Sequence, residues 1–297
     1  MFRGSMVALA TPMDAAGAVD WRAWQGLLEF HIAHGTNGVV VAGTTGESPT
    51  ITPAELERLV RSAVEVSDGR IVIIGGSGSH STAHAIELTR LVQSAGADAA
   101  LIVTPYYNKP TQNGLKAHYA AIADATSLPI ILYNVPGRTA CDLLPETAAA
   151  LSEIDQVVAF KEAVPGSDRV ARIRNLCGEN LQLLSGDDPT ARDFMLAGGD
   201  GVISVTGNVA PALMRSLCDL ATAGDSEASA GVDARLAALN EALFVEPSPI
   251  PVKWALQRMG LIGPGIRLPL TPLAAPFHSM VETALCNAGI ELPPEAV

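Results

Sequence analysis

The stretch "TPAELERLVRSAVEVSDGRIVIIGGSG", residues 52–78, holds two periodicities in succession. In its first part Leu56, Leu59, Val60 and Ala63 fall on one helical face. Thr52 is an N-cap candidate, with Pro53 at the first helical position and Glu55 at the third. Then "RIVIIGGSG" (70–78) is almost continuously apolar, as a strand covered on both faces has to be. A helix running straight into such a strand is half of an α/β unit.

The same alternation extends in both directions. Upstream lie "SMVALATP" (5–12) and "GVVVAG" (38–43). Downstream follow "AALIVTP" (99–105), "PIILYNVP" (129–136), "VVAFKEA" (157–163), "LQLLSGDD" (181–188) and "GVISVTG" (201–207). Between strands, "STAHAIELTRLVQSAGAD" (81–98) repeats the helical pattern and closes on a glycine C-cap signal. Eight strands alternating with helices predict a closed (β/α)8 TIM barrel. An open dinucleotide-binding sheet is disfavoured, because no GxGxxG follows the first strand. Beyond residue 224 the strand runs stop and helical patterns continue, with "VEPSPIPVKW" (245–254) as a proline-rich connection. The expected organisation is a catalytic barrel over 1–224 and a small C-terminal helical domain over 225–297.

Composition narrows the class of protein. The 297 residues are 48% hydrophobic and 17% charged, enough to bury a large core. A net charge of −12 argues against a nucleic-acid partner, which phosphate contacts would make rich in Lys and Arg. Cys141, Cys177, Cys218 and Cys286 show no metal spacing and read as reduced thiols of a cytoplasmic protein. The N-terminal apolar run is too short for a signal peptide, and no run of about 18 apolar residues suggests a membrane span.

In a barrel of this kind, chemistry sits at the C-terminal ends of the strands. Those ends supply Thr44 and Thr45 from "GTTGES", Tyr106 and Tyr107 from "TPYYNKP", Tyr133 and Arg138 from "YNVPGRT", and Lys161 from "FKEA". All are expected to converge on one face. An unpaired lysine charge is costly to bury, yet "VVAFKEAV" (157–164) surrounds Lys161 with apolar residues. A lysine desolvated at a barrel mouth suits Schiff-base attack on a carbonyl. The plain alternative is a structural lysine paired with a carboxylate such as Glu162, and strand alternation, which puts the two on opposite faces, counts against it.

The other candidates carry plain alternatives too. Tyr133 suits a proton relay, or equally a core tyrosine with a satisfied hydroxyl. Thr44 and Thr45 offer hydroxyls and amides for a carboxylate or oxyanion, or mark a tight glycine turn. Arg138 suits a bidentate carboxylate clamp, or simply a solvated loop position. "GDD" (186–188) lacks a partner at metal-ligand spacing. His80 and His84 are read as solvated residues sharing a helical face, and "GGSGS" (75–79) lacks the ending of a phosphate loop.

Taken together, "GTTGES", "TPYYNKPTQ", "YNVPGRT", the strand-6 lysine, "LLSGDD" and "SPIPVKWA" (248–255) resemble the dihydrodipicolinate synthase family. This family belongs to the pyruvate-dependent class I aldolases that include N-acetylneuraminate lyase, and the resemblance runs nearly end to end. It implies that Lys161 forms an imine with pyruvate, so that no metal or cofactor is called for. It also implies that Thr45 and nearby amides hold the pyruvate carboxylate, with the backbone of Gly186 and Ile203 completing the pocket. Tyr133, Thr44 and Tyr107 would form the proton relay, Tyr107 being donated across a subunit interface of a homotetramer. Arg138 would hold the carboxylate of the second substrate, aspartate 4-semialdehyde, and the reaction would open the diaminopimelate route to lysine. Another pyruvate aldolase or keto-acid dehydratase of the same fold, and a catalytically silent binding barrel, are the competing readings.

Two departures from the family pattern stand out. "KEAVPGSD" replaces the more usual "KEATG" after the lysine. The positions matching the family's lysine feedback site are Ser48, Pro49, Leu56, His80, His84 and Tyr106. Lysine-sensitive members commonly carry His, Asn and Glu where Leu56, His80 and His84 stand. Without the carboxylate at position 84 an effector amine loses its natural partner, so weak or absent lysine inhibition is expected.

Overall fold

The computed structural model describes residues 2–294; Met1 and 295–297, the outermost residues of the two expected units, lie outside it. Eight parallel strands close in sequence order into a barrel. They are β1 (Gly4–Ala8), β2 (Gly38–Val41), β3 (Val72–Gly76), β4 (Ala99–Val103), β5 (Ile130–Asn134), β6 (Val157–Glu162), β7 (Gln182–Ser185) and β8 (Gly201–Ser204). Closure is made by β1 against β8, with Met6 opposite Ile203.

Each strand feeds two apolar layers by alternation. Met6, Val40, Ile74, Leu101, Ile131, Ala159, Leu184 and Ile203 fill the lumen. Their neighbours Val7, Val39, Val41, Ile73, Ile102, Leu132, Phe160, Leu183 and Val202 pack outward in the layer shared with the helices. This two-sided burial explains why the strands read as continuous apolar runs. It also decides the position of the lysine. Ala159 points in and Phe160 out, so Lys161 points in, directly above the lumen core, and Glu162 points out.

The helix Pro53–Ser67 starts as its sequence requires. The Thr52 side chain accepts from the Glu55 amide, and the Glu55 carboxylate accepts in turn from the Thr52 amide at 2.9 Å. The helix Thr82–Ser94 is capped by Ser81, so His80 lies outside the helix and does not share a face with His84 as expected. Gly96, with φ +95°, follows the end of that helix in a backbone conformation only glycine adopts easily.

After β8 and the helix Pro211–Thr222, further helices cover Ser226–Ala242, Ile250–Arg258 and His278–Asn287. Their Leu236, Leu239, Leu256, Val281 and Leu285 belong to the same apolar layer as the barrel helices. The proline-rich stretch 245–254 is a connection only in its first half. The second half forms the first turn of Ile250–Arg258, where Pro251 has no amide hydrogen to lose.

Candidate active site

At the C-terminal mouth of the barrel a cavity of about 150 Å³ is lined by Thr44, Thr45, Tyr133, Arg138, Lys161 and Gly186. Lys161 is 5% exposed, and its Nζ stands 4.4 Å from the centroid of the Tyr133 ring. The two residues are register partners on β5 and β6, which fixes both on the same face. Glu162 does not pair with Lys161. Its carboxylate accepts from Arg169 Nε at 2.9 Å, from Asn134 Nδ2 at 3.0 Å and from the Val164 amide at 2.9 Å. Burial pushes the Glu162 carboxyl up, against the pull of the Arg169 charge. The carboxylate partner that would have made Lys161 structural is therefore engaged on the other side of the strand. The departing "KEAVPGSD" segment begins at this fastening, through the Val164 amide.

Gly186 makes room for the lysine: a Cβ there would lie 2.9 Å from Lys161 Cε and 2.9 Å from Ala163 Cβ. The turn carrying Thr44 and Thr45 is closed by the Gly46 amide on the Gly43 carbonyl and the Glu47 amide on the Thr44 carbonyl, at 3.0 and 3.1 Å. Gly46 is dictated by packing, since a Cβ would come within 3.0 Å of the Leu9 carbonyl oxygen. Among the described residues the amides of Thr44 and Thr45 donate to no other protein group, and both residues face the cavity. Free amides and hydroxyls at this position suit a carboxylate. Arg138, on the short helix Pro136–Thr139, is anchored by donating from Nη2 to the Ser248 carbonyl at 3.2 Å.

Three expected residues sit elsewhere. Ile203 is buried in the lumen cluster that also holds Tyr133 and Leu184, and it lines neither this cavity nor the next. Tyr106 lines a second cavity, of about 200 Å³, with Ser48, Pro49, Leu56 and His84. Gly43, Thr44, Leu101 and Tyr133 are the wall this cavity shares with the first. His80 is not part of its lining and stands edge-on to the Tyr106 ring at 5.1 Å. Tyr107 lines neither cavity. It is 91% exposed, with φ +74°, so within one chain the expected convergence of the strand ends stops short of it.

Other residues of the site went unnoticed in the sequence. Phe244, Ser248, Asp187 and Val205 line the first cavity. Ser248 and Asp187 lie inside motifs already singled out, whereas nothing marks Phe244. Asp188, set aside with "GDD", is buried, and its Oδ2 accepts from the amides of Val205 and Thr206 at 2.8 and 2.9 Å. It fastens the loop after β8. Burial pushes its carboxyl up, while the hydrogen bonds from the Thr206 and Val205 amides and the Lys161 charge pull it back.

A buried lysine in a closed barrel, with no ion-pair partner among the described residues, a phenol beside it and an arginine at the rim, is the arrangement a lysine-dependent aldolase requires. Residues 1–288 match the dihydrodipicolinate synthetase family. The chain is 52% identical over 290 residues to a 4-hydroxy-tetrahydrodipicolinate synthase of Methylococcus capsulatus, covering 98% of this chain and 100% of that one. It superposes with a TM-score of 0.97 and 48% identity on the chloride-inhibited dihydrodipicolinate synthase of Acinetobacter baumannii complexed with pyruvate, covering 98% and 100% of the two chains. A monomeric dihydrodipicolinate synthase variant superposes with a TM-score of 0.95 at 43% identity, covering 98% of each. The chain belongs to the dihydrodipicolinate synthetase family.

Proposed function

We propose that this chain is a lyase that condenses pyruvate with L-aspartate 4-semialdehyde to 4-hydroxy-tetrahydrodipicolinate, the first step of the diaminopimelate branch of lysine biosynthesis. Lys161, buried in the lumen mouth with no ion-pair partner among the described residues, is the observation that carries this reading beside family membership.

The Lys161 amine adds to the pyruvate carbonyl, and the carbinolamine loses water to give an iminium. That cation is an electron sink, so a methyl proton can leave to form an enamine, and the scheme calls on no metal or organic cofactor. Thr45, the adjacent amides and the backbone of Gly186 and Ile203 hold the pyruvate carboxylate. The enamine carbon attacks the aldehyde, whose oxygen takes up a proton. The amine of the second substrate then displaces the Lys161 nitrogen and closes the ring, so one water is released overall. Tyr133 and Thr44 move the protons, as both face the lysine cavity. Tyr107 joins them from a second copy of the chain, a role its exposure supports, in a cytoplasmic homotetramer. Arg138 clamps the carboxylate of the aldehyde. The barrel, 1–224, carries the chemistry, and the helical unit, 225–297, closes one side of its mouth through Phe244 and Ser248.

Supplying pyruvate with either aspartate semialdehyde or a sugar aldehyde acceptor tests the assignment. Turnover of the former alone is expected; preference for the sugar would reassign the chain within its aldolase superfamily.

A further inference from the structure

Glu47 and Lys253 form a buried ion pair across 206 residues of sequence. Glu47 is 2% exposed and left-handed, with φ 60°, and it directly follows the Thr44-Thr45-Gly46 turn. Its second carboxylate oxygen accepts from the Arg267 amide at 3.0 Å. Its carbonyl accepts from the Thr50 amide at 2.9 Å and its amide donates to Thr44. Arg267 reinforces the joint, donating to the carbonyls of Gly17 and Thr50 at 2.8 and 2.6 Å and pairing with Glu55. Lys253 lies in the first turn of Ile250–Arg258, a few residues after Ser248, whose carbonyl holds Arg138. Burial pulls the Lys253 ammonium down, and the Glu47 charge opposes this.

Two buried ions are a poor means of gaining stability, since well-packed hydrophobic residues do as well or better. A hydrogen-bonded pair is better suited to fixing one geometry. We propose that Glu47 and Lys253 are positioning residues for catalysis: their pair fixes the Thr44-Thr45 turn against the C-terminal helices and registers it to the Ser248–Arg138 contact on the opposite rim. The pyruvate and aldehyde half-sites are thereby held in one frame. This inference rests on the reading that Thr44 and Thr45 face bound pyruvate.

The test separates positioning from packing, using the full chain with Glu47→Gln, Lys253→Met and the double variant. Thermal midpoint, half-saturation of the borohydride-trapped pyruvate adduct, and kcat and KM for both substrates are measured. Each single variant leaves a buried polar group without its partner and lowers the midpoint. The double variant removes both charges and recovers most of the midpoint. Its pyruvate half-saturation nevertheless stays about ten-fold above that of the unmodified chain, and the aldehyde KM rises with it, while saturating pyruvate still fills Lys161. If half-saturation returns to the unmodified value together with the midpoint, the pair only packs and the inference is overturned. Should the double variant melt too low to assay, Glu47→Gln alone decides, with an unmoved half-saturation overturning the inference. No adduct in the unmodified chain would overturn the site reading itself, and this inference with it.

Discussion

Tyr133 and Lys161 are register partners on adjacent parallel strands, and the lysine Nζ stands 4.4 Å from the centre of the phenol ring. The pairing is built into the sheet, not into a loop, so the strand register sets both side chains on the same face of the barrel. A hydroxyl carried on that ring is suited to passing protons to and from intermediates on the lysine. Tyr133→Phe removes the hydroxyl and keeps the ring, so kcat should fall by about 10²–10⁴-fold while the chain stays folded. Steady-state kinetics beside a thermal melt check this. A kcat within a few-fold of the parent would give the relay to another group.

Arg138 should govern only the second substrate. Its guanidinium sits at the rim, anchored on the Ser248 carbonyl, whereas Lys161 lies deeper in the lumen. Arg138→Ala is expected to lower kcat/KM for aspartate semialdehyde by an amount worth on the order of 2–5 kcal/mol, the range for a lost charge-assisted contact. Pyruvate adduct formation should survive. Loss of both would assign Arg138 a structural role.

Millimolar lysine should leave more than half of the activity. The cavity bearing Ser48, Pro49, Leu56, His84 and Tyr106 is lined by no carboxylate in the described chain, and the Nδ1 of His84 faces Glu87 at 3.2 Å. An effector amine would meet no countercharge there. His84→Glu restores one and should lower the half-inhibitory lysine concentration. Inhibition assays on the two forms give the answer, and strong inhibition of the unmodified chain would sink the idea.

Two buried histidines predict acid sensitivity. Burial, and for His31 also the nearby His34, lowers His31 to about 3, and burial lowers His118 to about 4. Each bonds through Nδ1 to a threonine hydroxyl, Thr36 at 3.0 Å and Thr82 at 2.9 Å. Because the folded values lie below the ordinary histidine value, the unfolded chain takes up these protons first. Stability present above about pH 6.5 is therefore lost as pH falls towards 4, by about 2 kcal/mol per histidine between pH 7 and 5. Urea unfolding of His118→Asn should show a correspondingly smaller drop over that interval. An unchanged pH dependence would mean that His118 titrates normally.

The barrel was legible because every strand is buried on both faces, and its helices announce themselves through caps such as Thr52 with Glu55. Lys161 was legible because an ion in an apolar strand needs a reason. Residues joined only in space were not. Nothing local links Glu47 to Lys253, and Asp188 shows its use only where the loop after β8 returns to it. His80 stands before the Ser81 cap, so the helical spacing that would set it on one face with His84 does not extend to it. Tyr107 has a left-handed backbone and stands exposed, and periodicity carries no information on such a turn.

The most direct test of the account is borohydride reduction with pyruvate, followed by peptide mass spectrometry of the unmodified chain and of Lys161→Ala. A reduced pyruvate adduct is predicted on the peptide containing Lys161, and none on the variant. An adduct on a different lysine, or no adduct at saturating pyruvate, would contradict the imine mechanism.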